Sequence, residues 1–239
     1  LGVPRQGQRH SPQLKQRDAS FMLEIKEGLR FVRSIPFLLY GMICFSLVML
    51  GIQLVDSQIM ILLRELKHVS TSFIGVTMGA SGIGLLCIAV LLGKRRLTTP
   101  FQLMAAGAVG MGVAYACVGL SVSNEGVAWW LIPVLFLGGG ASVGMVFIPF
   151  QTQAQRSTPV ELSGRVFGTV NSVVTAAVII GPILGAVLVT GFGVITAFVI
   201  AGCSLILMGA AAFLLRNRVE RSERIVAKSD GAAQGTTQA

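Results

Sequence analysis

Residues 101–122, Phe101-Gln-Leu-Met-Ala-Ala-Gly-Ala-Val-Gly-Met-Gly-Val-Ala-Tyr-Ala-Cys-Val-Gly-Leu-Ser-Val122, decide the fold, because they contain no Asp, Glu, Lys or Arg. At about 1.5 Å per residue, a helix of this length crosses the ~30 Å hydrocarbon core of a bilayer. A barrel strand would instead alternate with period two over about ten residues, and these residues do not. Five further stretches repeat the pattern: 37–63, 72–92, 127–150, 166–188 and 194–215. The chain has 19 basic and 10 acidic residues, and of these only Asp56 falls inside any of the six. Over all 239 residues, 53% are hydrophobic and 12% charged, with a mean hydropathy of +0.76. Soluble domains carry about twice that charge, and disordered chains have the opposite composition. The reading is an all-α membrane protein with six transmembrane helices over 36–215.

The net charge of +9 invites nucleic acid as a partner, but the positions of the basic residues point to lipid instead. If the N-terminus is cytoplasmic, every Lys and Arg except Arg64 and Lys67 falls on a cytoplasmic segment. That is the positive-inside pattern, and it predicts a multi-pass inner (plasma) membrane protein with both termini in the cytoplasm. Anionic headgroups then partner the basic margins, and no nucleic acid is expected.

The margins divide as follows. Residues 1–19 are polar and basic and read as a flexible linker; they lack the apolar core of a signal peptide. Residues 20–35 place Phe21, Ile25, Leu29 and Val32 at helical spacing, with Lys26, Arg30 and Arg33 on another stripe. That pattern suits an amphipathic helix on the inner membrane face, or equally one packed on cytoplasmic loops. Residues 151–165 read as the longest connection, and 216–239 as a basic, unstructured cytoplasmic tail. Short connections elsewhere force neighbouring helices to run antiparallel. The four cysteines, Cys44, Cys87, Cys117 and Cys203, each lie in an apolar run without metal-ligand spacing and read as small hydrophobes. No metal and no cofactor are expected.

Enzyme chemistry finds no support. Gly79-Ala-Ser-Gly82 has the pattern of an intramembrane serine nucleophile, but a nucleophile needs a base. The two histidines, His10 and His68, lie outside the spans. The glycine run to Gly84 follows no strand and has no Lys for phosphate. Transport chemistry fares better. Asp56 is the one ionisable residue in a span, and an intramembrane acid is a functional hypothesis by default. Gln53, Asp56, Ser57 and Met60 share a face at three- and four-residue spacings, so their polar groups converge. Counting from Phe37, Asp56 lies about 29 Å along the axis, near the outer mouth. Asn171 and Thr175 stack at i, i+4 and either bond to a neighbouring helix or line a polar cavity. Gly181-Pro182-Ile-Leu-Gly185 places a proline between two glycines, which reads as a bend or a close contact. Glu161 and Arg165 are i, i+4 partners if helical. Gly164-Arg165 at the inner border of the fifth span suits a cytoplasmic latch, with simple positive-inside anchoring as the plainer reading.

Several of these segments resemble the major facilitator superfamily, and more narrowly its drug and siderophore exporters of the macrolide-efflux and enterobactin-exporter kind. The segments are Glu24-Ile-Lys-Glu-Gly-Leu-Arg-Phe-Val-Arg-Ser-Ile-Pro36, Gly93-Lys-Arg-Arg96, Gln151, Gln155-Arg-Ser-Thr-Pro-Val-Glu161, Gly164-Arg-Val-Phe-Gly168 and Gly181-Pro-Ile-Leu-Gly185. The resemblance spans about residues 21–215 and is to the second half of such proteins only. It implies one six-helix half-bundle, with an N-terminal six-helix half as a missing or separate partner. A start at Leu1 fits a truncated sequence. It further implies export of small amphipathic compounds by alternating access against a proton gradient. Under that implication Glu161, Gly164 and Arg165 close the cytoplasmic gate, and Gln53, Asp56, Asn171 and Thr175 contact substrate. A six-helix membrane scaffold, or an inactive transporter fragment, is the alternative.

Overall fold

A computed structural model of the chain describes residues 30, 32–64, 70–94, 99–123 and 130–235. The expected linker and most of the 20–35 segment lie outside these residues; of the latter, Arg30 and residues 32–34 are helical. Seven longer helices follow: α1 (Pro36–Asp56), α2 (Ile59–Arg64), α3 (Thr71–Gly93), α4 (Pro100–Ser123), α5 (Leu131–Ser157), α6 (Val160–Phe192) and α7 (Val194–Gly235). No strand occurs among the described residues. Six of the helices, all but α2, are long and apolar enough to cross a membrane, with mean hydropathies of 1.8 to 2.4 over their spans. The fold is an all-helical membrane bundle with six spanning helices, as the sequence leads one to expect.

Three expectations need correction. The stretch 37–63 is not one helix. It breaks at Ser57-Gln58, where the Gln58 side-chain amide donates to Ser57 Oγ at 3.2 Å. Asp56 is therefore the last residue of α1, and Met60 belongs to α2, off the face that Gln53 and Asp56 share. The segment 151–165 is not a loop. α5 runs on to Ser157 and α6 begins at Val160. Only Thr158-Pro159 separates them, because the residue before a proline is pushed out of the helical region; Thr158 adopts φ −109°, ψ 120°. The segment beyond 215 is not unstructured up to Gly235, since α7 continues through it.

In lipid, close packing rather than hydrophobic burial draws helices together, so small residues mark the seams. At the α4–α7 seam Gly112 faces Gly202. A Cβ on Gly112 would stand 2.5 Å from the Gly202 carbonyl oxygen, and one on Gly202 2.6 Å from that of Gly112. At the α3–α5 seam Gly84 lies against the Leu137 carbonyl and Gly140 against the Ser81 carbonyl. At the α1–α6 seam Gly185 lies against the Leu54 carbonyl. Aromatic contacts tie α1 to its neighbours: Phe45 stacks on Phe150 of α5 at 4.6 Å, and Phe37 meets Phe101 of α4 edge-on at 6.4 Å. α1 and α4 are the central helices, each 56% buried over its span, whereas α3 is 11% and α6 17% buried.

Candidate functional site

The sequence-predicted residues do not form one cluster. Gly185 of α6 touches Leu54 of α1, and Gly181 touches Gln53. At 1.5 Å per residue, Asn171 lies about 20 Å along α6 from Gly185, away from the level of Asp56. Gln53 and Asp56 thus belong to one end of the bundle, and Asn171 and Thr175 to its middle. Gln53 is half-buried against Gly181, while Asn171 and Thr175 are exposed on the outward face of α6. Gly181 and Gly185 serve close contact with α1, and α6 runs without a break through Pro182. Gly164 and Arg165 are exposed in the first turns of α6, and the Arg165 carbonyl accepts a hydrogen bond from the Thr169 hydroxyl at 2.9 Å. The Glu161 side chain lies outside the described residues, so its pairing with Arg165 stays a sequence expectation.

Asp56 does open onto a cavity. It has a volume of about 90 Å³ and lies between α1, α3, α4 and α5. Ile52 and Asp56 come from α1, and Met78 and Ser81 from α3. Met111, Ala114, Tyr115 and Val118 come from α4. Leu135, Phe136, Gly139, Gly140 and Val143 come from α5. Helical spacing explains the convergence, since 111, 114, 115 and 118 form one stripe of α4, and 136, 139, 140 and 143 one stripe of α5. Tyr115 is buried, and its ring meets Phe198 of α7 edge-on at 6.1 Å, which fixes its position. Asp56 itself is exposed and stands at the mouth.

Sequence reading missed Tyr115, Phe136 and the two methionines, and found for Ser81 only that a nucleophile's base is lacking. Ser81 does pack, through its backbone against Gly140, but it also lines the cavity. One signal was present: Tyr115 is one of only two tyrosines and sits mid-span, where its hydroxyl needs a partner.

No group of His, Cys, Asp and Glu among the described residues has the makings of a metal site. Polar side chains elsewhere on α6 bond to their own helix: Ser172 donates to the Gly168 carbonyl and Thr190 to that of Ala186, both at 2.9 Å.

Comparison with known proteins places this arrangement. The chain is 35% identical over 234 residues to an uncharacterized MFS-type transporter, YfiS, of Bacillus subtilis (strain 168), covering 98% of this chain and 56% of the relative. The chain thus spans little more than half the length of that relative. No solved structure matches it. The profile of the Major Facilitator Superfamily matches residues 1–180. With six apolar helices in one bundle and a profile match over most of its length, the chain belongs to the Major Facilitator Superfamily.

Proposed function

We propose that this chain forms the second six-helix half of an exporter that moves small amphipathic compounds, drugs or siderophores, out of the cell in exchange for protons. Family membership supports membrane transport. The observation that carries the half-bundle reading is the bareness of two helices. α3 and α6 bury little within the bundle, and Gly75, Gly79 and Gly82 of α3 and Gly164 and Gly168 of α6 have nothing within 4 Å of an added Cβ. Small-residue faces of this kind suit close packing against another transmembrane bundle. The partner is an N-terminal six-helix half, on the same chain or a separate one, with the substrate held between the halves. Asn171 and Thr175, exposed on α6, face that shared space. Gly164, Arg165 and Glu161 close its cytoplasmic side.

The test is drug accumulation in cells lacking their own exporters, expressing this half with and without the preceding six-helix half. Lower accumulation of amphipathic dyes with both halves present, and no lowering with this half alone, is the expected result. Equal accumulation in every arm rejects transport and leaves a six-helix scaffold.

A further inference from the structure

We propose that the cavity between α1, α3, α4 and α5 binds a small alkylammonium head group, with Asp56 as its counter-charge and Tyr115 and Phe136 among its walls. This deepens the export reading by naming a charged substituent on the amphipathic ligand, and it adds a site inside one half rather than between halves.

Size comes first. Pockets for drug-sized ligands run to about 300–1,000 Å³. This one is about 90 Å³, so it takes a substituent of a few heavy atoms while the body of the molecule stays outside. Wall chemistry comes next. Asp56 brings negative charge to the cavity, which argues against an anion. A hard metal ion is equally unsuited, since calcium takes about six to eight oxygens and magnesium a near-ideal octahedron. Here Asp56, Ser81 and Tyr115 are the side chains that bring oxygen, and the rest of the wall is largely apolar. An alkylated ammonium has the matching demands. It wants one carboxylate, aromatic surface and soft, polarisable contacts, which Tyr115, Phe136, Met78 and Met111 provide.

The site is also stiff. The Tyr115 ring is braced by Phe198, and the α5 wall is pressed onto α3 where Gly140 meets the Ser81 carbonyl. A carboxylate at the edge of hydrocarbon is costly without a partner, so a cation here relieves a standing cost. The same ammonium chemistry occurs on free amphiphiles and on membrane lipids, and the experiment separates the two sources.

Equilibrium binding of labelled decyltrimethylammonium is measured on the purified protein in phosphatidylglycerol nanodiscs, with no pH gradient. Binding is expected to saturate and to weaken by about tenfold or more with Asp56→Asn, because the neutral amide removes the counter-charge. Decyltributylammonium, too large for the cavity, should bind at least tenfold more weakly by the same arithmetic. Gly139→Ala supplies a second variant. Its Cβ meets Met111 Sδ at 3.6 Å and the Ala114 Cβ at 3.7 Å, ordinary contacts, so the protein folds with a smaller cavity. It should weaken the trimethyl probe while sparing decylammonium.

Equal binding by wild type and Asp56→Asn overturns the proposal, as does a tributyl probe as tight as the trimethyl one, or no saturable binding. Repeating the assay with phosphatidylethanolamine in the discs assigns the source. Competition by that lipid identifies a lipid head group, and its failure identifies a free amphiphile; both keep the ammonium chemistry. A protein that exports dyes but fails here keeps its transport role and loses this pocket.

Discussion

At the scale of single residues, two neighbouring glycines of α5 have opposite surroundings. A Cβ on Gly140 would collide with the Ser81 carbonyl, while Gly138 has nothing within 4 Å. Gly140→Ala should therefore destabilise the bundle by about 1–3 kcal/mol, the usual cost of overpacking. Gly138→Ala should be neutral or slightly stabilising, since Ala is the better helix former. Thermal unfolding in detergent checks both, and equal transition temperatures would contradict the seam. Asp56→Asn in the intact transporter should abolish pH-driven uptake into inverted vesicles; retained uptake removes Asp56 from coupling. Arg165→Ala should raise dye accumulation more than Arg156→Ala, because Arg165 sits in the first turns of α6 where the gate would close. Matching, negligible effects would reduce Arg165 to an anchor. Asp56 was legible in the sequence because a lone acid in an apolar run stands out. Tyr115 and Phe136 were not, because aromatic residues in spans are ordinary until tertiary packing brings the stripes of α4 and α5 together.

Among elements, every apolar run of the sequence became helical, the first as two helices, and boundaries moved where local rules competed. The α5–α6 break is a proline effect confined to Thr158-Pro159, far narrower than the polar composition of 151–165 implied. Composition reports solvation, and a polar helix end standing outside the hydrocarbon has the same composition as a loop. The α1–α2 break falls in the polar triplet Asp56-Ser57-Gln58, a trace that reading 37–63 as one apolar run passed over. The connection between α6 and α7 is the single residue Gly193, at φ +82°. With ψ at 159°, this is a region that essentially only glycine occupies and that costs a residue with a Cβ about 1–3 kcal/mol, so Gly193→Ala should lower stability by about that much. A differential scanning measurement on the variant tests it, and an unchanged transition would show that the turn relaxes freely.

For the whole molecule, the positive-inside bias yields a topology that labelling can check. A cysteine placed in 64–71 should react with an impermeant maleimide added outside intact cells, and one in 93–100 should not. Reaction at both would refute the assigned orientation. The bundle as a class was legible from charge placement alone, since lipid leaves so few options for an apolar chain. The cavity was not, since it draws on four helices at once. The one-residue link at Gly193 also bears on biogenesis. Segments joined so tightly are expected to enter the bilayer together, as a folded-back pair released only once the seventh helix has been synthesised.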